Sequence, residues 1–287
     1  MSLLHLKKRI TTVQNVSKTT RAMQMIAASK LKRAQNSALS GRPYIEKLIS
    51  VTQENIKTTN KKIDSPYLAK AESGDPELLI VFAPDKGLCG GLVSGIINEF
   101  LKYSDKNKES FLILIGNKME KVKFAKNMLA AFPLGITLPA FDIIYPVLQI
   151  IDDSLKDGKV KKVNILYPKF ISLFTQMPSL TTLLPLEIRE VLPAGRQEKK
   201  EGTYTLFEPS PEEILPSLLR HYLEINLYQF FLETYLAEQA ARMIAMKNAT
   251  DNAAEVVDIL KLEYNKTRQE KITNEILDIG SGAMQAI

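Results

Sequence analysis

Polar and apolar positions alternate with one period at the two ends of the chain and with another in between. From Ser210 onward, Leu232, Leu236, Gln239, Met243, Met246, Thr250, Ala253, Val257, Leu260 and Tyr264 recur at heptad spacing. Glu233, Glu238, Arg242, Lys247, Asp251, Glu255, Asp258 and Lys261 lie between them. A narrow apolar stripe on an otherwise polar helix predicts a coiled-coil strand rather than a core helix. Its start is written in Ser210-Pro211-Glu212-Glu213, where Ser210 can cap the backbone N–H of Glu213 and Pro211 needs no donor. No glycine follows until Gly280, and Pro216 is close enough to the start to kink rather than stop the helix. At 1.5 Å per residue, about 70 residues span on the order of 100 Å.

Residues 2 to about 58 predict a second long helix. Leu6, Ile10, Val13, Ser17, Thr20, Gln24, Ala27, Leu31, Ala34 and Ala38 keep the same spacing, in a seam thin enough for close helix approach. Gly41-Arg42-Pro43 would ordinarily end a helix, but Tyr44, Ile45, Leu48, Ile49 and Val51 resume the pattern, so a kink is expected. Lys61 to Pro66 reads as the exit loop.

Between the helices the period changes. Leu78–Phe82, Phe111–Ile115 and Val163–Tyr167 are apolar runs of buried-strand length. Helices are expected after Gly91, from Lys118 to Met128 and from Ile144 to Leu155. Residues 171–192, with Pro178 and Pro185, suit an edge strand, and 194–203 a charged loop. The fold class is thus α/β: a long antiparallel coiled coil of N- and C-terminal helices with an inserted Rossmann-like α/β domain of mostly parallel sheet. The expected divisions are 1–60, 61–208 and 209–287. If the helices leave the domain level, equal rise pairs Met1 with a position near 267. The last ~20 residues then lack a partner within the chain, by the same rise. Ile272, Ile276, Ile279 and Met284 still mark an apolar face there, so another protein must enclose that tip.

Charge sharpens this picture. No Asp or Glu occurs before Glu46, whereas Lys7, Lys8, Arg9, Lys18, Arg21, Lys30, Lys32, Arg33 and Arg42 all do. The whole chain carries +6, so the remainder is net acidic and the basic character belongs to the first helix alone. An acidic partner is expected along it. Cys89, the only cysteine, excludes an internal disulfide, and with His5 and His221 far from it and from each other it makes a poor metal ligand. The most apolar window, Leu134 to Ile151, is interrupted by Pro139, Asp142 and Pro146 and does not read as a membrane span. The N-terminus lacks the apolar run of a secretory signal.

Candidate chemistry is sparse. Gly87-Leu88-Cys89-Gly90-Gly91 follows a strand and opens a helix, the setting of a phosphate loop. It matches neither the dinucleotide nor the Walker spacing, so a tight turn that needs glycine is the expectation. No nucleophile–base set emerges and no cofactor is called for. His221, among Leu218, Leu219, Tyr222 and Leu223, reads as a packed or domain-facing histidine, and Asp152-Asp153 as solvated helix surface. The basic run lacks interleaved aromatics, which argues against nucleic acid.

Three blocks carry a family resemblance. Thr20-Arg21-Ala22-Met23-Gln24-Met25-Ile26-Ala27-Ala28-Ser29-Lys30-Leu31 resembles the N-terminal signature of the γ subunits of F-type ATP synthases, and Asp85-Lys86-Gly87-Leu88-Cys89-Gly90-Gly91-Leu92 their central motif. Glu238 to Ala253, continued by Tyr264 to Thr273, resembles their C-terminal signature. Ala83-Pro84, Val93 and Pro216 depart from the family's usual residues. The resemblance implies a non-catalytic rotor. Its coiled coil would sit within three α and three β subunits, and its domain on the membrane ring beside ε, one copy per complex. It implies β-subunit contacts at Met23, Arg242, Gln269 and Thr273, electrostatic contacts at Lys30 and Arg33, and a foot near the ring at Phe207 and Glu208. With no transit peptide and no chloroplast-type cysteine insert, it implies a bacterial, peripheral protein on the cytoplasmic face of the cell membrane, without direct membrane insertion. The alternative is an α/β enzyme whose helical arm binds a polyanion such as RNA.

Overall fold

The computed structural model describes residues 2–58, 65–68, 76–107, 109–120, 127–186 and 208–285. The connecting loops expected at 61–66 and 194–203 lie, but for 65–66, outside these residues. So do Phe207 and the side chains of Ile279 and Met284.

Two helices bracket a sheet. Helix α1 runs Leu3–Thr58 and continues through Pro43. The sheet segment follows as β1 Glu77–Phe82, α2 Leu92–Lys106, β2 Phe111–Ile115, α3 Asn117–Glu120 and β3 Met128–Phe132. A 3₁₀ turn at Phe141–Ile144 then leads into α4 Tyr145–Lys156, β4 Lys162–Phe170 and β5 Gln176–Leu184. Helix α5, Pro211–Gln285, closes the chain; it contains Pro216, and the Glu213 N–H donates to Ser210 Oγ at 3.3 Å. The sheet order is β3-β2-β1-β4-β5, with β1 to β4 mutually parallel and β5 antiparallel to β4 at the edge.

One expected element differs within this segment. The helix expected to reach Met128 gives α3, which ends at Glu120, while Met128 instead opens a strand. Met-Leu-Ala-Ala-Phe has little intrinsic strand preference, but pairing with β2 (Ile113 with Ala130, Leu114 with Ala131) overrides it at an edge.

The chain divides into two compact units, Ser29–Ala241 and Met1–Ala28 with Arg242–Ile287. In the first, the strand period of two sorts the sheet residues onto two faces. Leu78, Ile80, Phe82, Ile113 and Ile115 face a core completed by Val147, Leu148 and Ile151 of α4 and by Leu215, Leu219, Leu223, Leu227 and Phe231 of α5. Leu79, Val81, Leu112 and Leu114 face Leu92, Ile96 and Phe100 of α2. The four-residue spacing from Leu215 to Phe231 makes the first five turns of α5 a core helix of the α/β layer, so the coiled-coil reading holds only farther along. From Thr234 to Ala241 the helix is buried on every side. Glu238, expected on a wet face, is therefore buried as well.

Candidate functional site

The unit formed by Met1–Ala28 and Arg242–Ile287 is an antiparallel helix pair whose seam matches the heptad pattern. Leu6 and Ala27 of α1 and Met246, Ala253, Val257 and Leu260 of α5 are buried, and Ile10, Val13, Ser17, Thr20, Gln24, Met243, Thr250 and Tyr264 are half-buried. Across it, the Thr20 and Thr250 hydroxyls hydrogen-bond at 2.7 Å, which small residues permit. Apolar residues outside the seam stay in solvent: Met25, Ile26, Ile259 and Leu262 are all more than half exposed. Among the described residues the last half-buried side chain is Thr267. Beyond it every described side chain to Leu277 is exposed, including Ile272 at 48%, Ile276 at 63% and Leu277 at 63%. The rise-per-residue argument put the end of pairing at the same place.

The residues singled out from the sequence distribute as follows. Met23 is exposed, Arg242 is half-buried, and Gln269 and Thr273 lie one helical turn apart on the bare end of α5. In the other unit Arg33 is exposed, whereas Lys30 Nζ donates to the Ile136 carbonyl at 2.7 Å. Glu208 is exposed just before α5. The six described contact candidates and Glu208 are thus divided between the two units.

The glycine-rich turn is occupied with its own geometry. Leu88 and Gly90 have φ of 62° and 59°, and the Cys89 side chain is buried. Asp85 Oδ1 accepts from the Asn117 and Leu134 N–H groups at 2.9 and 3.1 Å, and Oδ2 from Gly135 N–H at 2.7 Å. A carboxylate so engaged fastens three loops at the carboxyl ends of the strands. Among the described residues no group of three or more His, Cys, Asp or Glu side chains could hold a metal ion. No described helix is long and apolar enough to cross a membrane.

A polar chain runs through the α/β unit that residue spacing only half reveals. Asp152, expected in solvent, is buried: its Oδ1 accepts from Tyr67 O–H at 2.8 Å, and its Oδ2 pairs with Arg220 at 3.0 Å. Arg220 Nε reaches Glu224 at 3.5 Å, Glu224 lies 3.0 Å from His221 Nδ1, and His221 Nε2 lies 2.5 Å from the Tyr44 hydroxyl. Burial first, and then the bond to Asp152, pushes the Tyr67 phenol up to about 12, while the charge of Asp152 raises Arg220. The spacing of Arg220, His221 and Glu224 on one helix face was visible in the sequence; Asp152 and Tyr67 lay too far away to be joined to them.

Comparison with known proteins then decides the family. The pattern for ATP synthase matches residues 2–286. The ATP synthase gamma chain of Dehalococcoides mccartyi is 37% identical over 282 residues, covering 97% of this chain and 96% of that one. That of Glaesserella parasuis is 35% identical over 286 residues, with 97% of each covered. The chain belongs to the ATP synthase gamma chain family. Its fold is shared with chains in the mitochondrial ATP synthases of Euglena gracilis (TM-score 0.66, 17% identity, 99% of this chain and 94% of that one) and Tetrahymena thermophila (TM-score 0.58, 21% identity, 80% and 99%). Family membership makes the chain a non-catalytic subunit of an assembly. It also removes the polyanion-binding enzyme as the favoured alternative.

Proposed function

We propose that this gamma chain is the central-stalk rotor of a proton-translocating F-type ATP synthase. On this reading the α and β subunits enclose the helix pair, while the α/β unit rests on the membrane ring with ε, at the cytoplasmic face of a bacterial membrane. The observation that carries it is the apolar end of α5 past Thr267, where every described side chain to Leu277 is exposed and none is covered by another described residue. It is supported by the first 45 residues, which carry no Asp or Glu and whose basic charge suits acidic loops on a surrounding protein.

One asymmetric shaft cannot favour the same state at three sites at once. It changes nucleotide affinity at each β subunit only through contacts that differ between β states. A third of a turn permutes those contacts, and torque from ion flow becomes product release. The chain supplies stiffness and asymmetry and performs no bond chemistry. We assign Met23, Arg242, Gln269 and Thr273 to the β-facing contacts, Lys30 and Arg33 to electrostatic ones, and the segment at Phe207 and Glu208 to the foot. The domain divisions at 60/61 and 208/209 follow the same logic, rod against foot.

Reconstitution with cognate α and β subunits, ring and ε tests this. The wild-type chain should confer ATP-driven proton pumping, and Arg242→Ala or Gln269→Ala should lower pumping per ATP hydrolysed. Substantial ATP turnover by the purified chain alone, or unchanged pumping in both variants, would refute the assignment.

A further inference from the structure

The polar chain from Tyr44 to Tyr67 includes none of the contact residues assigned above, yet it touches three separate elements and the segment at 65–68. Tyr44 belongs to α1, Arg220, His221 and Glu224 to α5, and Asp152 to α4. Tyr67 holds the strand-following segment in turn, because its carbonyl accepts from Leu186 N–H at 2.7 Å. All of these residues belong to one compact unit.

What makes Tyr44 more than a surface contact is where it stands. Pro43 has no N–H, so the backbone bond that would reach the Leu39 carbonyl is missing, and the proline ring crowds that carbonyl. Gly41 lowers the helix propensity of the same turn. Packing does not compensate: an open cleft of ≈ 790 Å³, lined by Ala38, Leu39 and Ile45 from α1 and by Ile225, Tyr228 and Leu232 from α5, separates the helices here. The weakest turn of α1 therefore stands off α5, and Tyr44 spans to it. Its ring meets the His221 imidazole edge-on at 5.9 Å between centroids, and its hydroxyl reaches Nε2.

The bonding pattern gives this span a direction. The Glu224 carboxylate accepts from His221 Nδ1–H, and the Tyr44 hydroxyl meets the opposite ring nitrogen, Nε2. The other Glu224 oxygen faces Arg220, whose planar guanidinium addresses two carboxylates at once, Glu224 on its own helix and Asp152 on α4. The carboxylates of Glu224 and Asp152 are mostly buried, 14% and 10% exposed, while Arg220 reaches them from a side chain that is half in solvent.

We propose that Tyr44, His221, Glu224, Arg220 and Asp152 form the joint that fastens the two rod helices to the globular part, and that Tyr44 and Arg220 are positioning residues for torque transfer. This rests on the rotor reading. A load entering through the α/β layer reaches α5 through its core-packed first turns and the Asp152–Arg220 pair, and passes to α1 at Tyr44 through His221, bracing α1 where its own backbone would yield.

The test uses the full complex in vesicles, with ATP-driven acidification and ATP hydrolysis measured on the same sample, with and without an opposing proton gradient. Tyr44→Phe keeps the ring and removes the hydroxyl alone. Arg220→Ala removes both ion pairs, and Arg220→Lys restores one. Tyr44→Phe and Arg220→Ala should each lower pumping per ATP under the opposing gradient by about twofold or more, the size of effect that residues coupling distant sites exert. Hydrolysis by the soluble α, β and gamma assembly should be unchanged, and Arg220→Lys should recover part of the loss. A pumping ratio unchanged in Tyr44→Phe and Arg220→Ala overturns the joint, even if the variants melt earlier, because a merely structural role lowers melting without touching the ratio. Should Arg220→Ala fail to assemble, Tyr44→Phe alone decides. A wild-type complex that hydrolyses ATP without pumping overturns the rotor reading itself, a separate result.

Discussion

Replacing Asp85 by alanine asks whether the glycine-rich turn is built for its own stability. The side chain accepts three backbone N–H groups from two distant loops. A hydrogen bond to a charged group contributes about 1.5–3 kcal/mol when it is sheltered, and much less where water replaces the lost acceptor. The Asn117 N–H is exposed and would be resolvated. The Leu134 and Gly135 bonds are part-buried, and at the lower figure the two together give about 3 kcal/mol. For a unit of this size that corresponds to a fall of about 6–12 °C in the melting temperature. Asp85→Asn should lie close to alanine, since an amide can accept through only one atom and presents its NH₂ to the other donors. Thermal melting of the purified chain, with hydrogen exchange at Leu134 and Gly135 as the local probe, measures both. A change within about 0.5 kcal/mol, the range of an ordinary surface substitution, with no faster exchange at those two amides, would refute the argument.

Three further outcomes are expected. Phe231→Ala empties a fully buried site whose ring meets Phe82 edge-on at 4.9 Å, and should cost about 3–5 kcal/mol in urea denaturation. Gly116 has φ of 103°, and an added Cβ would lie 1.9 Å from the Ala83 carbonyl oxygen. Gly116→Ala should therefore displace β1 from β2, losing about 3 kcal/mol or more and protection at the Ala83 amide, read by the same denaturation with hydrogen exchange. At Glu77 burial pushes the carboxyl up. Hydrogen bonds from Lys162, Tyr103 and Asn164, with the Lys162 charge, outweigh it and bring the net shift below the ordinary carboxylate range. A depressed carboxyl contributes stability that is complete above its unfolded pKa and lost as pH falls through the lower folded value. Urea midpoints should thus drop below about pH 4.3, and less so in Glu77→Gln.

The helix pair was legible because its physics is one-dimensional. Heptad spacing named the seam from Leu6 to Ala38, and rise per residue located the end of pairing near Thr267 without any tertiary information. The strands at Leu78, Phe111 and Val163 were equally plain, being continuous apolar runs in a sheet covered on both faces. What escaped depended on partners distant in sequence. Met128 to Phe132 is a strand only because β2 lies beside it. The first turns of α5 look like more coiled coil until α4 and the sheet are seen to cover Leu219 and Leu223. Asp152 looked solvated because Arg220 and Tyr67 are far away along the chain. The candidate contact residues came from family resemblance, since a surface awaiting another protein leaves no local mark on a single chain beyond exposed apolar side chains and unbalanced charge.

The hydroxyls of Thr20 and Thr250 are separated by 230 residues of chain. At 5–20 residues per second on the ribosome, the first helix is exposed for on the order of tens of seconds before its mate is translated. Its apolar stripe is uncovered throughout that interval. Like charge on the acid-free stretch opposes pairing of that helix with copies of itself on neighbouring nascent chains, before its own mate has been made.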